Sequence, residues 1–167
     1  TDNPAVNTNV VANNKTCRRS YNIMTTDGYW NGAVSAVGNQ DGTDGAVITG
    51  VGATYTYVAA NPFKDTTSNT LADVAMKYWK TDLQPATVNA VPPVKSDSKS
   101  FWQNMINFTV GLGVRGTLDP ATDLPALSAG TKTWPFADAS TTKPNVDDLW
   151  HAAINSHGQY FSAKDPV

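Results

Sequence analysis

The sequence predicts an α/β fold, with a short, mostly parallel sheet, flanking helices and long loop insertions. Three observations carry that prediction. Ile106, Phe108, Val110, Leu112 and Val114 alternate with Asn107, Thr109, Gly111 and Gly113, the two-residue period of a strand. Leu71, Val74, Ala75, Tyr78 and Trp79 recur at helical spacing, and so do Val146, Leu149, Trp150, Ala153 and Ile154. The elements then run strand, helices, strand, helix, strand, an order that right-handed crossovers turn into parallel neighbours.

Taken in order, residues 1–16 are polar and rich in Asn and Thr, and read as a flexible arm. Tyr21–Met24 is a short strand that stops at Thr25-Thr26-Asp27-Gly28, because glycine admits backbone angles other residues avoid. Residues 31–68 hold many Gly and Thr and no helical period; within them Ala46–Thr49 and Thr54–Val58 read as a hairpin or outer ribbon. The first helix takes Asn69 or Thr70 as its cap and Asp73 at its positive end. Pro85 opens a Pro-containing connector to about Lys95, and a shorter helix is expected over Lys99–Met105.

The strand from Ile106 follows, with glycines that let another element approach closely. A loop over 117–144 contains Pro120, Pro125, Pro135 and Pro144. Asn145 is expected to cap the last helix, with Asp147 and Asp148 in its first turn and Gly158 ending it. Gln159–Ala163 returns as a short strand. A three-stranded parallel sheet is narrow and needs both faces buried, so further sheet before residue 1, or another chain, is expected to cover it.

Composition removes two classes of function. Lys plus Arg is 12 against 14 acidic residues, a net charge of −2, which leaves no electrostatic footprint for nucleic acid. No apolar run approaches the roughly 20 residues that span a bilayer. Every acidic residue is Asp, which favours caps and turns, so few helices and long irregular stretches are expected. Cys17 is the single cysteine and has no internal partner. The polar beginning reads as a cut end of a longer chain, in which Cys17 pairs with an upstream cysteine.

Among candidate chemistries, Asp27 comes first. It ends a strand of a parallel sheet, where open α/β folds bind ligands. One carboxylate with hydroxyls and water suits a hard cation such as Mg²⁺, and the competing reading is a carboxylate that only closes its own Asp-Gly turn. Asp41-Gly42-Thr43-Asp44-Gly45 lacks the ligand series of an EF-hand and reads as a surface turn. His151 and His157 are not at the i, i+4 spacing of zinc helices and read as surface or helix-end residues. No phosphate loop, dinucleotide fingerprint or nucleophile elbow is present. Trp79 and Trp150 lie on helix stripes and belong to the core, whereas Trp30 and Trp134 lie in loops and are free for a binding surface.

Several stretches go further. The run from Cys17 to Gly32, containing Thr26-Asp27-Gly28-Tyr29-Trp30, resembles the type IV pilus tip-associated adhesin and biogenesis family, called PilY or PilC. Ser68–Leu83 with its Leu71-Ala72-Asp73-Val74-Ala75-Met76 core, Phe108–Val114, Asp148–Ala153 and Gln159–Ala163 resemble it in the same order. The resemblance implies the later half of a von Willebrand factor A-like, Rossmann-like three-layer domain over residues 17–167, with insertions at about 31–68 and 117–144. It implies a non-enzymatic protein of the cell surface, pilus tip or outer membrane, active in adhesion and pilus biogenesis. Its partners would be pilus minor subunits and host-cell or abiotic surfaces, with a homo-oligomer as a further option.

By the same resemblance Asp27 is the later Asp of a metal-ion-dependent adhesion site, an incomplete one here. The Asp-x-Ser-x-Ser loop is absent, Asp97-Ser98-Lys99-Ser100 has the wrong spacing, and the other ligands for Mg²⁺ or another divalent ion would lie upstream. Tyr29 and Trp30 beside Asp27 are the expected ligand surface. No cofactor is expected within the chain itself. The alternatives are a structural buttress between the A-like domain and a C-terminal β-propeller, and a hydrolase using Asp27 with a distant His.

Overall fold

The computed structural model describes residues 16–27, 29, 36–138 and 143–163. Strand β1 (Ser20–Thr26) runs parallel to the central strand β4 (Met105–Gly111), which runs parallel to β5 (Tyr160–Ser162). Tyr21 is registered with Ile106, Ile23 with Phe108, and Val110 with Phe161. Strands β2 (Ile48–Gly50) and β3 (Ala53–Tyr55) form a separate antiparallel ribbon, with boundaries shifted by a few residues from the expected hairpin. The expected α/β class and parallel order are therefore present. The arm, apart from Thr16, lies outside the described residues, as do Trp30 and parts of both insertions.

Helix α1 (Leu71–Trp79) begins at Thr70 in a capping box: Thr70 Oγ1 accepts from the Asp73 amide at 3.1 Å, and Asp73 Oδ2 accepts from the Thr70 amide at 2.9 Å. Its buried side is Ala72, Ala75, Met76 and Trp79, so the stripe is rotated from the expected one and Tyr78 is exposed. Helix α3 (Lys143–Asn155) packs along α1, and both contact β4. Leu71, Val74 and Ala152 share a cavity with Met24, Asn22 and Thr109, which puts the two helices on one face of the sheet. Tyr21, Ile23 and Phe161 are exposed on the other.

Five expectations about element bounds and caps are corrected. Lys99–Met105 is not helical: the Phe101 and Gln103 carbonyls accept from the Val91 and Leu83 amides, and Trp102 donates to the Trp79 carbonyl at 2.7 Å, so tertiary bonds replace helical ones. The central strand stops at Gly111, and Gly113 turns the chain at a φ of 72°. Asn145 is a buried residue inside α3 rather than its cap, because the helix starts two residues earlier. A short helix, α2 (Leu124–Ser128), interrupts the long proline-containing loop.

The fifth concerns the end of α3. The left-handed residue there is His157, with a φ of 59°, not Gly158. Gly158 is required for another reason: a Cβ on it would lie 1.9 Å from the Asn107 carbonyl oxygen. Close approach of the helix end to β4 thus takes the glycine, and the turn takes a histidine.

Among the described residues the core has two parts. Ile48 and Tyr57 from the first insertion pack on Met76, Trp79 and Trp102, while Leu127 and Trp134 from the second loop pack on Trp150. The insertions therefore supply the cover for the outer sides of both helices, which is why α3 is buried over most of its circumference. Trp134, expected to be free in its loop, is buried, because its indole completes the second cluster.

Candidate functional site

Asp27 stands at the C-terminal end of β1 and is exposed. Its Oδ1 accepts from the Tyr29 amide at 3.2 Å and the Thr26 hydroxyl at 3.3 Å, the geometry of a residue closing its own turn. Tyr29 is exposed beside it, and Trp30 lies outside the described residues. Among the described residues Asp27 joins no group of three acidic, histidine or cysteine side chains. One exposed carboxylate engaged in a turn does not by itself fit a cation.

The structure assembles polar chemistry elsewhere, at residues the sequence reading passed over. Asp41, Asp65 and His151 bring one oxygen from each carboxylate and one ring nitrogen within 4.8 Å of one another. Asp41 sits in a tight turn in which Asn39 Oδ1 accepts from the Gly42 amide at 2.6 Å and Thr43 Oγ1 donates to the Asn39 carbonyl at 2.6 Å. A Cβ at Gly42 would fall 2.3 Å from Asn39 Oδ1, so the turn needs that glycine. Asp65 lies near the end of the first insertion; its amide donates to Asp41 Oδ1 at 3.0 Å and its own Oδ1 accepts from the Thr67 amide at 2.7 Å.

His151 comes from α3 and is buried, which corrects its reading as a surface residue. Its Nε2 contacts the Phe63 carbonyl and lies 3.5 Å from Asp41 Oδ2, and its Nδ1 lies 3.7 Å from Asp65 Oδ2. One turn further along α3, Asn155 donates to Asp41 Oδ2 at 2.8 Å and to the Ala72 carbonyl at 3.2 Å. The Tyr57 hydroxyl donates to the Asp41 carbonyl at 2.6 Å.

Burial sets the electrostatics. It raises Asp41 to about 7, with the neighbouring Asp65 charge adding to the effect. Asp65 is also raised to about 7 by burial, opposed by the Thr67 amide. His151 is pushed down to about 3 because its charged form loses hydration. The nearby ammonium of Lys80 donates to the carbonyls of Gln40 at 2.5 Å and Thr43 at 2.7 Å. Two carboxylates and a neutral imidazole in mutual reach form a donor set for a proton or a cation.

Two further aspartates of α3 are structural. Asp148 accepts from the Leu71 and Ala72 amides at 2.9 and 3.0 Å, capping α1 from α3, and Asp147 accepts from the amides of Thr117 at 2.8 Å and Leu118 at 3.0 Å. A signal for the cluster exists in the sequence: Asp148, His151 and Asn155 fall at i, i+3 and i+7, a polar stripe beside the apolar one. His157 is half-way to the core as well, stacked on Trp79 at 4.1 Å and 12°. Neither histidine engages Asp27; their carboxylate neighbours are Asp41, Asp65 and Asp97. Cys17 is exposed and has no partner cysteine within this sequence.

Comparison with known proteins now adds a relationship. The chain is 40% identical, over 174 aligned residues and 90% of its length, to the type IV pilus biogenesis factor PilY1 of Pseudomonas aeruginosa strain UCBPP-PA14. The chain is similar to one segment of PilY1. PilY1 of strain PAK of the same species is 35% identical over 90% of the chain. The chain spans only 15% and 14% of the lengths of those two relatives. No protein-family profile matches it. No solved structure matches it either.

Proposed function

We propose that the chain is part of a type IV pilus biogenesis factor of the cell surface, and that it acts by contact rather than by catalysis. The observation that carries this reading is the 40% identity to PilY1 across 90% of the chain. The contact surface proposed is the C-terminal edge of the parallel sheet, where α/β folds bind their ligands. Asp27 and Tyr29 end β1 there, Leu112 follows β4 and Phe161 belongs to β5; all three large side chains are about half exposed. Pilus minor subunits and host-cell or abiotic surfaces are the proposed partners, and the domain is read as the later half of an A-like adhesion fold. A divalent ion at Asp27 would need ligands from elsewhere in the full-length protein.

A second reading, a structural buttress, is favoured by the open sheet face: Tyr21 is 55% and Ile23 72% exposed, although parallel sheets are usually covered on both faces. One experiment separates the two. The full-length protein carrying Asp27→Ala with Tyr29→Ser, and separately Tyr21→Ser with Ile23→Ser, is returned to a strain lacking it. Loss of adhesion with normal numbers of surface pili in the first variant supports the contact reading. Loss of pili in the second, with the first unaffected, supports the buttress.

A further inference from the structure

We propose that Asp41, Asp65 and His151 form a site for a borderline divalent cation such as Zn²⁺ or Mn²⁺. The donor set is two carboxylates and an imidazole, the nitrogen and oxygen mixture such ions take. The donors already lie within 4.8 Å of one another, so bonds of about 2.0–2.2 Å require only a contraction of the cluster.

The orientation of His151 points the same way. Its Nε2 lies against the Phe63 carbonyl, which can only accept, so Nε2 carries the hydrogen and Nδ1 presents its lone pair. Nδ1 lies 3.7 Å from Asp65 Oδ2, whereas Asp41 Oδ2 lies 3.5 Å from Nε2. Nδ1 and the Asp65 carboxylate, two electron-rich groups, repel unless a proton or a cation lies between them. Donation of the far ring N–H to a backbone carbonyl is the outer contact that metal-ligating histidines make. The ring plane is held as well, by Trp134 stacked on it.

Asn155 supplies an independent observation. It is fully buried and reaches into the cluster through its amide nitrogen, but its amide oxygen has no hydrogen-bond partner among the described residues. A buried acceptor left bare is costly, and water carried by a bound ion is a donor that satisfies it. Charge balance agrees. Asp73 and Asp148 act electrostatically on Asp65 as further negative charges, while one cation, Lys80, acts on Asp41, Asp73 and Asp44. An entry path is present: a cavity of about 420 Å³, lined by Gly42, Lys64, Asp65, Lys132 and Trp134, opens beside Asp65.

The test is titration of the chelator-treated chain with Zn²⁺ alone, followed by calorimetry and by side-chain ¹⁵N resonances of the two histidines. One ion per chain, with the Nδ1 resonance of His151 shifted and His157 unmoved, is the expected result. Asp65→Asn keeps an oxygen for the Thr67 amide and removes the ligand charge, and is expected to weaken binding at least tenfold. No stoichiometric binding, or binding that leaves His151 unshifted, overturns the site. Unchanged affinity in a folded Asp65→Asn variant overturns it too. Should that variant fail to fold, the His151 resonance in the unaltered chain decides alone.

Discussion

Trp134 lies flat against His151, with ring centroids 4.0 Å apart and planes 12° from parallel. The same indole meets Trp150 edge-on at 4.8 Å and donates to the Pro62 carbonyl at 2.6 Å. One side chain of the long loop thus ties the first insertion to α3 and closes the histidine away from water.

Trp134→Ala is expected to destabilise the fold by about 3–5 kcal/mol, the usual cost of deleting a buried aromatic. Trp134→Phe keeps one aromatic ring, loses part of the indole volume and the hydrogen bond to Pro62, and should cost less than the alanine substitution. Urea unfolding at pH 7 measures both; a midpoint unchanged by the alanine substitution would contradict the bridging role.

Arg19 and Asp97 make the second test. They are 2.9 Å apart with side chains only 6% and 0% exposed, and Asp97 Oδ2 also accepts from the Trp79 indole at 3.1 Å. Arg19→Met leaves a buried carboxylate without its cation and should cost about 3–5 kcal/mol. Arg19→Lys should recover only part, because the guanidinium fork also reaches the Pro92 carbonyl at 2.8 Å and the Ser100 carbonyl at 3.1 Å. A double-mutant cycle with Asp97→Asn reads the coupling, and additive losses would show that the pair does not act as one unit.

Gly158→Ala should destabilise by about 1–3 kcal/mol, since the new methyl collides with the backbone of β4. His157→Gly should be mild as far as the backbone is concerned, because the left-handed angle suits glycine. Thermal midpoints compare the two, and faster amide exchange at Thr109, which donates to the Gln159 carbonyl at 3.0 Å, would locate the damage.

The pH dependence of stability has a definite sign at His157. Burial beside Trp79 and Phe63 holds its imidazole below the ordinary value, against the pull of Asp97 at 3.8 Å, while Arg19 and Lys99 push the same way as burial. The unfolded chain therefore binds the proton first, and stability falls as pH drops below about 6.5 toward the folded value, by up to about 1.4 kcal/mol per pH unit for one group. His151, lowered to about 3, adds a contribution of the same sign. The raised carboxylates of Asp41, Asp65 and Asp148 act oppositely, losing stability as pH rises toward 7. The readout is accordingly a difference: His157→Asn should lose less stability than the unaltered chain between pH 7 and 5. Identical slopes would remove His157 from the account.

Legibility in the sequence follows the range of the interactions. The α1 cap is readable because Thr70 and Asp73 are three residues apart and satisfy each other locally. The parallel strands are readable from period-two alternation in the segment from Ile106 and from the helix that separates it from the last strand. Lys99–Met105 misleads because its apolar spacing serves Trp79 and the connector, not a helix. His151 misleads because α3 is covered on its polar stripe by residues 41–65, a partner no local pattern announces. Asp27 is found where the strand end puts it, and its surroundings are a turn.

By itself, the sequence determined the α/β class, the parallel strand order, the two long helices and, through its block-by-block resemblance, the relationship to PilY1. These rest on periodicities and caps spanning fewer than ten residues, or on text compared directly. Only the tertiary structure decided that Asp41, Asp65, His151 and Asn155 meet, across separations of up to 114 residues. Two long insertions, one carrying the β2–β3 ribbon and the other the short helix α2, fold over both helices and exclude water there. Burial then turns an ordinary turn aspartate and a helix histidine into a coupled polar cluster, a change that depends on what surrounds each side chain.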